Sequence, residues 1–419
     1  MRCARRRARA DARRRGYRRG ASLAPRLRRR RRGRGAARPE RRDPSRGRAH
    51  RGPPSRPRAR QDRQRSQAAR CRRHARLAGR GGHVTPSVEG RSPLVSDPAP
   101  RAPANGNRTL ALARYRVAFE ALEPLDLPAY LGSTLRGAFG HAFQRLCCPA
   151  PRGEACPIPA SCPYHVVFET APPPDAEALR THEEIPRPFV IAPPPVSEPS
   201  YPAGAEVAFD LTLVGRAREF FPHFVVTLRE VDGIGRGRRP VALRRVDATQ
   251  PLTSELAKVY VAEENLVRPH DLAVTLEDCG AVPCPTRGAR VVFLTQTRLA
   301  HDGRIVQHPE FHVLFRRLLG RLSSLARFHG DGPLDVDFRG LISAAEDVRL
   351  IADDTQWTAW TRYSARQGRR MEWTGLVGRA TYEGDLTPFW PYLVFGQWTH
   401  VGKSATFGLG GYRLEPLGG

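Results

Sequence analysis

Lysine is almost missing from this chain. Of 70 basic residues only Lys258 and Lys403 are lysines, and the rest are arginine. No stretch of 18 apolar residues occurs, so no segment reads as a membrane-spanning helix. The N-terminal region lacks the apolar core of a secretory signal peptide. A complete Walker A loop is missing as well. GKS at 402–404 hints at one, but its leading glycine would be residue 397, which is Gln397, and SATFGLGGYRLE downstream reads as strand rather than helix. The context argues against a P-loop nucleotide site.

Acidic residues are scarce only at one end. Residues 1–100 hold 34 arginines against 6 acidic residues, whereas the remainder carries 36 basic against 35 acidic. The net charge of +29 therefore belongs to the N-terminal segment, and the rest is nearly neutral. Residues 1–105 hold too few apolar side chains to offset the entropy of ordering, so we expect an Arg-rich disordered segment. One reading makes it a nucleic-acid-binding arm. The other, which we expect, is a reading frame that starts too early: arginine in place of lysine fits GC-rich coding, and the RR/RG/PR texture carries no motif. The eight cysteines are Cys3, Cys71, Cys147, Cys148, Cys156, Cys162, Cys279 and Cys284. A chain this long needs no disulfides, so a reduced, cytoplasmic protein is the simpler expectation.

From about residue 106 the pattern sharpens into two similar halves. TLALARYRVAFEAL reads as a strand, and LPAYLGSTLRGAFGHAFQRLC carries apolar residues from Leu131 to Leu146 at helical spacing. YHVVFET and PFVIAP read as extended, and 205–215 as a strand. EFFPHFVVTLREV reads as a helix stopped by Gly233, and 239–246 as a strand. The second half repeats the order: a strand at 289–300, a strong helix from 309 to 330, a hairpin around RQGRR, a helix started by Thr387 and Pro388, and a last strand. Both halves are β-α-β-β-α-β. The predicted fold is α+β, with tandem ferredoxin-like (RRM-like) domains at 106–250 and 288–419 and a linker or an insertion with a short helix at 251–287.

The block THVGKSATFGLGGY at 399–412 precedes the last strand. Its glycines predict successive exposed N–H groups able to cradle phosphate, and Lys403 adds a point charge. That arrangement suits a nucleic-acid backbone.

VGKSATFGLGGYRLE, GSTLRGAFGHAFQRLC and GIGRGRRPVAL together resemble the RAMP superfamily. More narrowly they resemble the CRISPR-associated endoribonuclease that processes precursor CRISPR RNA. The resemblance spans about 108–416. It implies a basic RNA groove and metal-independent cleavage, in which a ribose 2′-OH attacks the adjacent phosphate to leave a 2′,3′-cyclic phosphate and a 5′-OH. It implies no catalytic cofactor, CRISPR repeat RNA as partner, and other CRISPR effector subunits as further partners. Relatives without cleavage activity carry similar loops, so a binding subunit is the alternative.

Such chemistry calls for a histidine near neutral pH and for positive charge on the phosphorane. His141 falls on the polar face of the first helix, with Thr134, Gly137 and Arg145 on its side. The resemblance carries the general acid or base to His141; His400 ranks second and His165 third. His308, His312 and His329 read as decorating the second long helix. Tyr130 reads as orienting the 2′-OH or as a helix-start staple. Lys403, Gly402, Ser404, Gly408 and Gly410 are assigned to phosphate contact. Arg136, Arg145, Arg236, Arg238, Arg239, Arg362, Arg366, Arg369 and Arg370 are assigned to the RNA groove. Trp357, Trp360 and Tyr363 offer stacking surfaces or core packing. Cys148, Cys156 and Cys162 fit a structural zinc or iron–sulfur site, or buried free thiols. Relatives carry a C-x-x-C whose first cysteine is here Gly153; Cys147 or His165 is the substitute ligand. Cys279 and Cys284 stay unassigned.

Overall fold

A computed structural model of the chain describes residues 110–417, apart from 129, 152, 171–184, 194–199, 236, 269 and 365–368; for 361–372 only the course of the backbone is described. The predicted Arg-rich segment at 1–105 lies outside the described residues.

Alternation builds the first sheet. In β1 (Ala111–Ala121), Ala113, Tyr115, Val117, Phe119 and Ala121 all enter one core. Helix α1 (Gly132–Cys147) and the short α2 (Pro163–Phe168) follow, then β2 (Phe189–Ala192) and β3 (Glu206–Val214). Helix α3 (Phe221–Arg229) leads to β4 (Arg239–Thr249) and β5 (Leu256–Val261). β1 is central, with β3 antiparallel on one side and β4 on the other; β2 lies outside β3, and β5 outside β4. Leu135, Phe139, Ala142 and Phe143 are the buried stripe of α1. Phe139 and Phe143 meet Phe224 of α3 at ring-centroid distances of 5.1 and 5.0 Å. Burying one such ring contributes about 1.5–3 kcal/mol, so this aromatic cluster fixes α1 and α3 on one face of the sheet.

The segment predicted as a linker or an insertion with a short helix holds strands and one short helix. β5 extends the first sheet, β6 (Val274–Thr275) pairs with the start of β1, and α4 (Leu276–Gly280) opens with a capping box between Thr275 and Asp278. The second sheet is built from β7 (Ala289–Thr297), helices α5 (Phe311–His329) and α6 (Phe338–Ala344), β8 (Arg349–Ser364) and β9 (Arg369–Glu383). Helix α7 (Trp390–Thr399) and β10 (Tyr412–Pro416) complete it. β7 is central between β9 and β10, and β8 lies outside β9; every pairing is antiparallel. Numbered by order within each half, the first four strands of both sheets lie 2-3-1-4. The chain is thus a mixed α/β structure with antiparallel sheets and several helices.

Three local expectations fail. YHVVF is helical rather than extended: Pro163 occupies the first turn and Cys162 is the residue before it. A short apolar run cannot be assigned by periodicity alone. Gly233 does not stop α3, which ends at Arg229; it pairs instead with Pro240, and its negative φ leaves no left-handed cap. Helix α7 begins at Trp390 with Pro391 in its first turn, so the start signal lies three residues beyond Thr387 and Pro388.

Candidate active site

The glycine block is held by a fault in β7. The β7–β9 ladder breaks between Phe293 and Thr297, which frees the polar groups of 294–296. Thr295 Oγ1 donates to the Gly408 carbonyl at 2.8 Å and accepts from the Gly411 N–H at 2.9 Å. Gly410 N–H donates to the Gln296 carbonyl at 3.1 Å, and Val401 N–H to the Gly410 carbonyl at 2.9 Å. Gly410 has φ 71°, and a Cβ there would lie 1.7 Å from the Val401 carbonyl oxygen. The glycines at 408 and 410 are therefore demanded by close backbone packing.

That corrects the expected cradle. The N–H groups of Gly408, Gly410 and Gly411 are already bonded within the protein, and these residues are buried. What stays open is the turn before them. Lys403 is exposed, Gly402 and Ser404 are left-handed at φ 82° and 66°, and among the described residues their three N–H groups have no backbone acceptor. Successive N–H groups in such a turn form an anion-binding concavity. Thr295 and Gln296 escaped the sequence analysis; their signal was a polar TQT interrupting an apolar strand.

The block is pressed against the first turn of α1. A Cβ on Gly132 would lie 1.9 Å from the Phe407 carbonyl oxygen, so only glycine fits. Tyr130 donates its hydroxyl to that same carbonyl. Its ring packs on Trp360 and Trp373 at 4.7 and 5.7 Å, and burial pushes its pKa well above the ordinary phenol range. Tyr130 is thus a strut for the loop, since the hydroxyl expected to orient a ribose already has its partner. Arg136 braces the same contact. Its guanidinium lies 4.4 Å from the Phe407 ring centroid and 5.6 Å from that of Phe168, a cation–π bridge from α1 to the glycine block.

His141 is exposed on the other end of the same helix. With Thr134, Ala138, Arg145 and Cys148 it lines a cavity of about 830 Å³, closed on the far side by 230–235 and Arg238. Arg145 is exposed in the last helical turn. Arg238 pairs with Asp232 at 2.5 Å and Arg239 with Glu123 at 3.3 Å; these exposed pairs leave both guanidiniums partly neutralised. Lys403 does not line this cavity. From Gly132 to His141 the helix rises about 13 Å, so the glycine block and His141 occupy opposite ends of α1.

Arg236 and Arg366 lie outside the described residues. Arg362, Arg369 and Arg370 sit on the paired strands β8 and β9, where only backbone is described. Trp357 is exposed, Trp360 is half-buried against Tyr130, and Trp373 is buried.

The remaining histidines separate by burial. His400, ranked second, is 6% exposed, and its Nδ1 lies 3.1 Å from the Leu409 carbonyl oxygen. Burial, aided by Arg321 and Arg114, pushes its pKa down to about 4. It pins the glycine block from below and does not reach solvent. His329 does not decorate its helix either: it is buried, its Nε2 is 2.8 Å from the Pro186 carbonyl oxygen, and its pKa falls to about 4. His308 is exposed and pairs with Asp353 at 2.7 Å. His312 packs beside His301. Cys148 and Cys156 come together with His165, next to Cys162, beyond the C-terminal end of α1.

Residues 291–412 match the family described as CRISPR-associated endoribonuclease Cas6. A second family, described as an N-terminal domain, matches 110–272. No curated protein matches the chain in sequence. Among solved structures, the chain is similar to Thermus thermophilus Cas6 at TM-score 0.45 and 17% identity, with 74% of this chain and 100% of that one covered. It is similar to a chain of a partial Cas6-RT-Cas1–Cas2 complex at TM-score 0.45 and 14% identity, covering 73% and 46%. An RAMP protein binding different RNA substrates is similar at TM-score 0.37 and 10% identity, covering 72% and 99%. The resemblance to a CRISPR-associated endoribonuclease is borne out over 291–412, the matched residues, which contain the glycine block, the TQT fault that holds it and Lys403. His141 and its cavity fall in the N-terminal match. Among the described residues no helix is long and apolar enough to cross a membrane.

Proposed function

We propose that this protein cleaves precursor CRISPR RNA within its repeats, without a catalytic metal. The observation that carries the reading is the pairing of exposed His141 and Arg145 on one face of α1, facing a cavity, while the other end of that helix is locked to the glycine block within the matched residues 291–412. In the scheme a ribose 2′-oxygen attacks the adjacent phosphorus and the bond from phosphorus to the 5′-oxygen breaks. The products are a 2′,3′-cyclic phosphate and a 5′-OH. His141 acts as general acid or base, taking the 2′-OH proton or delivering one to the 5′-oxygen. Arg145, one turn on, offsets charge on the phosphorane. Lys403 and the N–H groups of 402–404 hold a neighbouring phosphate. The two halves act as tandem ferredoxin-like domains, about 106–250 and 288–419; their common strand order supports this.

The test is cleavage of the cognate repeat RNA by the full chain in EDTA, beside His141→Ala. A single cut that the variant loses by about 100-fold or more fits acid–base catalysis. A second reading makes the chain a non-catalytic RNA-binding subunit alongside other CRISPR effector subunits. The separation of Lys403 from the His141 cavity favours it, and tight repeat binding with no cut by either protein would establish it.

A further inference from the structure

We propose that Cys148, Cys156 and His165, completed by Cys162, bind one zinc ion. The inference does not depend on the cleavage reading. The nucleophile-like atoms of Cys148, Cys156 and His165 all lie within 4.8 Å of one another. They arrive from three places: Cys148 is the extended residue that ends α1, Cys156 sits on the connecting loop, and His165 is in the first turn of α2. The Cys162 thiol touches the side chains of both Cys148 and Cys156, and its sulfur receives the N–H groups of Tyr164 and His165. Three soft or borderline donors therefore converge on one point, and the buried Cys162 thiol, which donates to the Cys147 carbonyl at 3.6 Å, lies beside two of them.

The chemistry of that set selects the metal. Zinc takes four ligands tetrahedrally, with Zn–S about 2.3 Å and Zn–N about 2.0–2.1 Å, and Cys3His is an ordinary structural set. Such a tetrahedron has edges of about 3.5–3.8 Å, so Cys148, Cys156 and His165 close on an ion by contracting at most about 1 Å, and Cys162 turns its thiol from the Cys147 carbonyl to complete it. Iron–sulfur clusters are held mainly by thiolates, and a histidine in this position favours zinc over them.

The segment also needs a device of this kind. Among its described residues the connection between α1 and α2 has no helix or strand, and 153–155 and 157–161 are exposed. Little apolar burial orders it. All six described cysteines are free thiols, so no disulfide does so. A metal that removes three thiol protons and joins the end of α1 to the start of α2 would supply the missing constraint. Cys147 is the internal control: it neighbours Cys148, but its side chain bonds Thr227 and is not one of the three converging donors.

The experiment is zinc content of the full chain, purified under reducing conditions without chelator, followed by cobalt(II) substitution. About one zinc per chain is expected, with cobalt giving intense thiolate charge-transfer and tetrahedral d–d absorption. Cys156→Ser, on an exposed loop, and His165→Ala should each lower occupancy at least about tenfold, while Cys147→Ser keeps it. Circular dichroism of Cys156→Ser checks that the sheets survive. A wild-type chain without zinc and without cobalt–thiolate bands overturns the proposal. So does bound iron with sulfide, or equal metal loss in Cys147→Ser.

Discussion

Tyr130 donates its hydroxyl to the carbonyl of Phe407, and that bond joins positions 277 apart in the chain. It defines what Tyr130 does. Tyr130→Phe removes one hydrogen bond and keeps the ring against Trp360 and Trp373. The expected cost is about 0.5–1.5 kcal/mol in urea unfolding. Single-turnover cleavage should stay within about tenfold of wild type, because a strut is loosened and no proton carrier is lost. A 100-fold fall with unchanged stability would return Tyr130 to the chemistry.

Gly410→Ala tests the packing of the glycine block. Its Cβ would overlap the Val401 carbonyl, and the residue would be held at positive φ. The strain alone is of order 1–3 kcal/mol, and the overlap adds to it. We expect a lower unfolding midpoint and weaker RNA binding, both larger than for Gly137→Ala, whose added methyl meets nothing within 4 Å.

Lys403→Ala tests the open turn. If Lys403 neutralises one phosphate of single-stranded RNA, binding weakens at low salt and the slope of log affinity against log salt becomes shallower by about 0.7. His141→Ala should leave that slope unchanged. Filter binding across a salt series reads both; an unaltered slope in Lys403→Ala would remove the lysine from the RNA interface.

Stability should fall with acid in a window set by two histidines. His329 and His400 have folded pKa values of about 4, against an ordinary 6.5, because burial disfavours the charged ring. Arg321 repels both. A group lowered on folding binds its proton better when unfolded, so the stability it contributes is full above about 6.5 and is lost as pH drops toward 4. With two such groups the slope approaches about 2.7 kcal/mol per pH unit near pH 5. Carboxylates held low by partners, such as Asp353 and Glu415, add to the loss at still lower pH. Urea midpoints at pH 7.5 and 5.0 should separate strongly, and His400→Gln should lessen the separation.

The strands and long helices were legible in the sequence because their apolar periods are regular. β1 alternates, α1 and α5 carry clean stripes, and the structure assigns each within a few residues. The short helix α2 was not legible: VVF is too short for either period to emerge. In residues 251–287 the strand β5 was not legible, because it pairs with the outer edge of β4, a tertiary choice that leaves little pattern in LAKVYV. The glycine block was found by composition, but composition could not say which N–H groups were already bonded. That depended on Thr295 and Gln296, over a hundred positions upstream. His141 was legible as a polar-face histidine. His400 and Tyr130 were not, since their burial is imposed by segments far away in sequence.

The seat of Phe407 on Gly132 has a consequence for synthesis. During translation the first helix and its aromatic partners emerge early, but the surface that covers the helix's leading turn is made much later. Until then Gly132 and the Tyr130 hydroxyl face water, and the half carrying His141 exists without the half carrying Lys403. Closing so long a loop is slow relative to forming local contacts. The nascent chain therefore should hold a folded but unassembled site through the late part of its synthesis, and RNA would meet a competent surface only after that docking event.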